Sequence, residues 1–404
     1  MASSTVIVVG AGQAGAQAVD SLRREGFLGR IILVGEESEL PYQRPPLSKA
    51  FLAGKLPPDR LLFRHQTFYD EHKIEIKLGH RATALYPKEH ELVLANGERL
   101  RYDQLLLCLG ASSRHLTGPG SNLKGIYYLR SISDVNAFQS QLVHGKRMVI
   151  IGGGYIGLET AATARHLGCE VTVLEMADRV MNRVVASIVS KYFEHEHRKH
   201  GVQIICDAQI VALEGADNVR RVVCANGAAY EADLVIAGVG AIANVELASQ
   251  ADIECANGIV VDEYCHTSAP DVFAAGDCTN HPSLRFEMRV RLESVDNAVE
   301  QAKSAVQNML NKPTIHNRVP WFWSDQFDNK LHIVGLSYNH DQQVTRGDPA
   351  DRTFSVCYLK GGELVSVESV NNMKDFMSAR KLIPDRNRPI IERLADASIA
   401  LKDV

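Results

Sequence analysis

A chain of 404 residues exceeds what one hydrophobic core usually supports, so two or three domains are expected. An apolar fraction of 45% and a charged fraction of 23%, without low-complexity tracts or charge blocks, exclude a fibrous or disordered protein. With 44 Lys+Arg against 48 Asp+Glu the net charge is -4, and no run reaches the ~18 to 20 apolar residues that span a bilayer, so neither nucleic acid nor membrane is an expected partner.

The first strand-like run, Thr5 to Val9, enters Gly10-Ala11-Gly12-Gln13-Ala14-Gly15, a helical stretch to Arg24, and a second strand, Ile31 to Val34, closed by Gly35-Glu36. No basic segment with a small-residue cleavage site precedes it, so the cytoplasm is the expected location. Each part of this unit has a mechanical use. Gly10 permits a tight turn, Gly12 lets the backbone approach a pyrophosphate, and Gly15 lets helix and strand pack closely. The helix N-terminus supplies free N–H groups and a partial positive charge, and Glu36 is placed to accept from a ribose diol. The pattern predicts a dinucleotide site.

It returns at Met148 to Ile151, Gly152-Gly153-Gly154-Tyr155-Ile156-Gly157, a helix through Leu167, and the strand Glu170 to Leu174 closed by Glu175. Glycines and terminal acid are all present, so a second dinucleotide is expected. A carboxylate at 175 repels a 2'-phosphate and favours NADH over NADPH, although Arg179 and Arg183 offer that phosphate two cations just beyond. The run Glu194-His195-Glu196-His197-Arg198-Lys199-His200 is not H-E-x-x-H and has no nearby cysteine; a charged, solvated helix face is expected, and no metal.

Farther on, Asp271 to Ala275 reads as a strand entering Gly276-Asp277, where an acid can bind a flavin ribityl chain. Val295 stands before a helix expected from Asp296 to Leu310. The last segment alternates in strand fashion at 331–334, 354–359 and 364–367, then turns helical from Met373 to Leu382.

The order of these motifs resembles the two-dinucleotide-binding flavoproteins of the glutathione-reductase type. Three blocks narrow it: Pro41 to Lys49 (PYQRPPLSK), Gly152 to Glu159, and Pro320 to Gln326 (PWFWSDQ) are similar to those of the oxygenase-coupled, NADH-dependent ferredoxin reductases, over essentially the whole chain. That resemblance implies an α/β fold with two Rossmann-like dinucleotide-binding domains and an α+β C-terminal domain. FAD would occupy 1–110 with 244–318, NADH 111–243, and the remainder is 319–404. Electrons would pass from NADH through FAD to a small two-iron two-sulfur ferredoxin that supplies a monooxygenase or dioxygenase. Reductases of this shape occur as monomers and dimers.

By the same resemblance FAD would contact Gly10, Gly12, Ala14, Gly15, Glu36, Glu37, Arg44, Lys49, Ala82, Arg130, Asp277 and Val295. The nicotinamide cofactor would contact Gly152, Gly154, Ile156, Gly157, Glu159, Glu175, Arg183 and Gly240. Lys49 and Glu159 face each other beside the flavin in the family, and an ion pair there can hold the nicotinamide in line for hydride transfer; the plainer reading is a loop anchor and a helix start. Trp321 and Trp323 would sit near the isoalloxazine, Trp323 as a cofactor contact and one of them lining the route to the acceptor; the plainer reading is two aromatic anchors of a domain interface. An acidic ferredoxin would want a basic rim, for which Arg289, Arg291 and Lys303 are candidates.

The chain departs from the family at Cys108-Leu109-Gly110, where Ala-Thr-Gly is common, and at Ala243, where proline is usual. A thiol-disulfide oxidoreductase would need a redox cysteine, and the eight cysteines include no C-x-x-C pair and none in the block from Pro41 to Lys49 or in either glycine turn. An NADH oxidase, a quinone reductase or a rubredoxin reductase remains the alternative. A relative of apoptosis-inducing factor would want a basic surface.

Overall fold

The structure is a computed structural model and describes residues 4–404. The chain divides into two compact units, one formed by 4–43, Asp59–Ser112 and Ile242–Phe322, the other by Arg44–Pro58, Ser113–Ala241 and Trp323–Val404.

In the first unit, five parallel strands lie in the order Val272–Ala274, Gln104–Leu107, Thr5–Val9, Arg30–Val34 and Ile74–Lys77. Both faces of such a sheet are buried, and so its central strands are unbroken runs of Val, Ile and Leu. Val6, Val8, Ile31 and Leu33 pack under the helices Gln13–Arg24 and Val295–Met309 through Ala18, Leu22, Ala302 and Val306. The alternate residues Ile7, Val9, Ile32 and Val34 meet Leu85, Leu92 and Leu94 of a three-stranded antiparallel sheet, Ala82–Tyr86, Glu91–Leu94 and Arg99–Arg101. Val9 pairs with both Val34 and Leu107, so three strands end together beside Gly10.

The second unit repeats this plan. Its parallel sheet runs Gln203–Ile205, Glu170–Leu174, Arg147–Ile151, Leu234–Ala237 and Ile126–Tyr127, covered by a three-stranded meander, Ile210–Gly215, Val219–Cys224 and Ala229–Glu231. Its last part is a five-stranded sheet in the order Trp321–Gln326, Asn329–Gly335, Glu363–Val370, Thr353–Lys360 and Gln342–Asp348, antiparallel across its last four strands. The helix Met373–Leu382 follows it. The expected fold class, two Rossmann-like sheets and an α+β C-terminal part, is therefore the one observed.

Candidate active site

Gly10 has φ +111°, and a Cβ there would stand 2.1 Å from the Cys108 carbonyl oxygen. A Cβ on Gly15 would lie 1.9 Å from the oxygen of Gly10, so close packing of helix on strand requires glycine at both positions. Gly12 differs: it N-caps the helix without a side-chain cap bond, and nothing lies within 4 Å of where its Cβ would be. The helix thus opens with unpaired N–H groups facing room enough for a close-lying anion. Gly276 turns with φ +88° against Ala14, leaving Asp277 beside that helix start, and its N–H donates to Gln301 Oε1 at 2.8 Å. Glu36 is exposed, 3.6 Å from Arg81, and Glu37 accepts from the Tyr42 hydroxyl. Ala82 opens the strand Ala82–Tyr86. Val295 is the first residue of its helix, not the residue before it; Ser294 is the cap, accepting from Asn297 N–H at 3.1 Å.

The second turn reproduces the first. Gly152 has φ +106° with a virtual Cβ 2.3 Å from the Gly238 oxygen, a Cβ on Gly157 would be 2.2 Å from the oxygen of Gly152, and Gly154 is an uncapped N-cap with open space above it. Glu175 does more than wait for a ribose: its two oxygens accept from Gly153 N–H at 2.6 Å and Ala177 N–H at 2.8 Å, tying the turn to the strand end. Arg179 is committed to the chain itself, donating to the oxygens of Val185 and Asn182 and to Ser190 Oγ, which takes away one of the two cations offered to a 2'-phosphate. Arg183 is exposed, as is Ile156 on the first helical turn. Gly240 is open around its Cβ position, and its carbonyl accepts from Arg114 N–H.

Two turns of that geometry fit two dinucleotides, with Gly12 and Gly154 as the points of close approach.

Lys49 and Glu159 meet in the second unit. Lys49 Nζ is 2.6 Å from Glu159 Oε2 and donates to the Pro45 oxygen at 3.1 Å. Glu159 is 6% exposed, on the helix Tyr155–His166 that the second glycine turn starts. Ser48 Oγ donates to its Oε2 at 2.6 Å and Ser324 Oγ to its Oε1 at 2.7 Å, and Thr163 Oγ1 ties the Ser48 carbonyl to the same helix at 2.7 Å. Tyr155 nearby is pushed well above the usual phenol range by burial and by the charges of Glu368 and Glu159. Arg44 donates to the Arg130 carbonyl at 2.6 Å, and Trp323 is half-buried on the strand that carries Ser324. Ser48 and Ser324 carry the site but were given no role from sequence. Both sit inside the blocks PYQRPPLSK and PWFWSDQ, which was the available signal.

Other expectations are corrected. Arg291 and Lys303 pair with Glu293 and Glu300, so neither is the unopposed cation that a basic rim wants, while Arg289 donates to neutral groups, Asn280 and the Val261 carbonyl. The 194–200 face is not wholly solvated: Glu196 and His197 are buried, His197 Nε2 lying 2.9 Å from Gln326 Oε1 and Glu196 3.2 Å from Arg352. Among the described residues no group of His, Cys, Asp and Glu is arranged to hold a metal, and no helix is long and apolar enough to cross a membrane.

A family model described as pyridine nucleotide-disulphide oxidoreductase matches residues 4–302, and one described as reductase C-terminal matches 321–404. The chain belongs to the pyridine nucleotide-disulphide oxidoreductase family. It is a flavoprotein oxidoreductase whose cofactors are FAD and NAD(H). The disulphide of the family description has no counterpart here, because all eight cysteines are free thiols; burial pushes Cys278 up to about 12, and Cys108 well up. The chain is 44% identical over 401 residues (98% of it, 97% of the relative) to the 5,5'-dehydrodivanillate O-demethylase ferredoxin reductase subunit of a Sphingobium species. It is 40% identical over 409 residues (100% and 97%) to putidaredoxin reductase CamA of Pseudomonas putida. A crystal structure of the covalent putidaredoxin reductase–putidaredoxin complex superposes with TM-score 0.96 at 39% identity, covering 100% of this chain and 98% of that one.

Proposed function

We propose that this protein is an NADH-dependent ferredoxin reductase that supplies an oxygenase. Overall, NADH and two oxidised two-iron ferredoxins give NAD+, one proton and two reduced ferredoxins, so the two electrons of one hydride leave singly. Bound FAD supplies the chemistry that joins the two halves, accepting a hydride and releasing electrons one at a time. The observation that carries the proposal is the ion pair between the half-buried Lys49 and the buried Glu159 on the helix opened by the second glycine turn.

The chain's own groups bind, orient and exclude water. FAD would be held by residues 1–110 with 244–318, Gly12 leaving room for a pyrophosphate and Asp277 offering an acceptor to the ribityl chain; Ala14, Glu36, Glu37, Arg44, Ala82, Arg130 and Val295 would complete the contacts. Residues 111–243 hold NADH over Gly154, with Ile156 and Gly240 beside it and Glu175 at the adenosine ribose. Commitment of Arg179 to backbone carbonyls supports NADH over NADPH, leaving Arg183 of the two arginines just beyond Glu175. Glu159 and Lys49 position the nicotinamide, since hydride transfer depends steeply on alignment. From residues 319–404, Trp323 would be a flavin contact, as the resemblance implies. The expected partner is a small two-iron two-sulfur ferredoxin in the cytoplasm, and the relative named as a ferredoxin reductase subunit supports a ferredoxin.

An anaerobic NADH titration followed by addition of a two-iron ferredoxin tests this. The expected result is bleaching of a yellow FAD spectrum by NADH far more readily than by NADPH, then reoxidation as the ferredoxin is reduced. Rapid reoxidation by oxygen or a quinone with none by ferredoxin would assign the protein to NADH oxidases or quinone reductases, and reoxidation by rubredoxin alone would change the acceptor.

A further inference from the structure

Glu159 is gripped by both carboxylate oxygens, from two different segments. Ser48 and Lys49 hold Oε2, while Ser324, from the C-terminal sheet, holds Oε1. A carboxylate in an ion pair only accepts hydrogen bonds, so the Ser324 hydroxyl must spend its one proton on Oε1. Its oxygen is then an acceptor for the donor 3.2 Å away, Gln326 Nε2. With Nε2 turned to Ser324, the amide oxygen of Gln326 faces His197 Nε2 at 2.9 Å and accepts from it, so His197 carries its proton on Nε2. His197 Nδ1 is buried with no partner, as suits the unprotonated nitrogen. From His197 through Gln326 and Ser324 to Glu159 the hydrogen bonds run in a single direction, three donors ending on a carboxylate that only accepts, and the three donors are fully buried.

We propose that Ser324, Gln326 and His197 are positioning residues that fix the plane of the Glu159 carboxylate, keeping Oε2 on Lys49 in the geometry that hydride transfer requires. This deepens the reading of Lys49 and Glu159 given above and rests on it. The charges facing the chain are few. Lys49 faces Glu159, Tyr155 lies within electrostatic reach of Glu159 and Glu368, and His197 has Glu196 and His200 beside it on its own helix. Burial lowers His197 to about 4, so at neutral pH the ring is uncharged and stays a one-proton donor.

Two readouts test the chain. In stopped-flow reduction of the FAD-loaded protein, Ser324→Ala should lower the hydride-transfer rate constant about tenfold while the NADH dissociation constant moves less than about twofold, because alignment is lost and binding is not. Ser324→Thr, which keeps the hydroxyl, should recover most of the rate, and Gln326→Leu should fall between. The second readout needs no turnover. In protein labelled with 15N-histidine, the resonances absent from His197→Gln should show a protonated Nε2 and a bare Nδ1, with no titration between pH 6 and 8. Equal losses of rate and affinity in Ser324→Ala, or a His197 proton on Nδ1, would overturn the proposal. If NADH fails to reduce the wild-type flavin, the reading of the site falls, while the nitrogen spectrum still decides the direction of the chain.

Discussion

Glu368 shows how much one buried carboxyl can change. It is 1% exposed, accepts from Ala186 N–H at 2.9 Å and from the Tyr358 hydroxyl at 2.6 Å, and burial raises it to about 7. Unfolded, such a group titrates near its ordinary value, so between about 4.5 and 7 the folded state holds the extra proton and stability falls as pH rises. Glu368→Gln keeps an acceptor for Ala186 and a group for Tyr358 without the charge. It should stabilise the protein by roughly 1–3 kcal/mol at pH 8 and by nearly nothing below pH 4.5, checked by urea unfolding at both. Arg179 behaves oppositely. Its guanidinium satisfies two carbonyls and a buried hydroxyl, so Arg179→Ala should lower stability by about 1–3 kcal/mol while leaving the preference for NADH over NADPH unchanged, measured by unfolding and by kcat/KM for both nucleotides. A variant that instead gained NADPH selectivity or lost NADH selectivity would return Arg179 to the cofactor. The role of Glu368 was not legible in the sequence, because it depends on a partner that the chain brings from elsewhere: Ala186 lies 182 positions away. Arg179 bonds within 11 residues of itself, but to two carbonyls and a serine hydroxyl that no residue pattern marks out.

At the scale of elements, the glycine turns were legible because their spacing is dictated locally by one strand, one turn and one helix. Their two kinds of glycine make opposite predictions. Gly12→Ala adds a methyl where nothing lies within 4 Å and at a φ of -88° that any residue adopts, so the fold should stand while the pyrophosphate approach is filled. The purified variant should melt, flavin-free, within about 1 °C per few tenths of a kcal/mol of the wild type, yet carry far less FAD by absorbance. Gly15→Ala drives a methyl to 1.9 Å from the Gly10 oxygen and should destabilise the apoprotein itself, by about 1–3 kcal/mol or more. Equal FAD loss with equal destabilisation in both would mean that Gly12 is structural. The helix Ser187–Lys199 was legible only in part. Its buried positions Val189, Ser190, Tyr192, Phe193, Glu196 and His197 follow helical spacing, but Ser190, Glu196 and His197 are polar, and composition suggested solvent where periodicity pointed inward. Long-range partners decide such a case, since His197 is buried because Gln326 receives its proton and Arg352 meets Glu196.

For the whole molecule, the duplicated strand, glycine turn, helix and strand of each parallel sheet were legible, but the three-stranded antiparallel sheets that cover the other faces were not. Alternating apolar runs separated by glycine turns admit few other arrangements. The C-terminal sheet was legible as strands but not as an order, because antiparallel pairing among 321–370 is set by contacts the spacing does not specify. Acid sensitivity is the property that both units share. His197 in one unit is lowered to about 4 by burial, and His281 and His316 in the other are lowered to about 3 and about 4 by the same cause. Each is neutral when folded and charges on unfolding below its ordinary value, so the unfolded state binds more protons from about 6.5 down to those values. The sign is a loss of stability as pH falls, up to about 1.4 kcal/mol per pH unit for each histidine. Glu368 acts in the opposite sense over about 4.5 to 7 and cancels about one of the three there. Urea unfolding at pH 7, 6 and 5 should therefore show a net decline below pH 6.5 that is steeper in Glu368→Gln than in the wild type, because the opposing group is gone. His281→Phe should make the decline shallower, since its ring already packs edge-on 5.0 Å from His316 in a buried site and loses only the titration. A stability that stays flat from pH 7 to 5 in Glu368→Gln would mean that these rings are hydrated, and the buried pair in the first unit would then have to hold water.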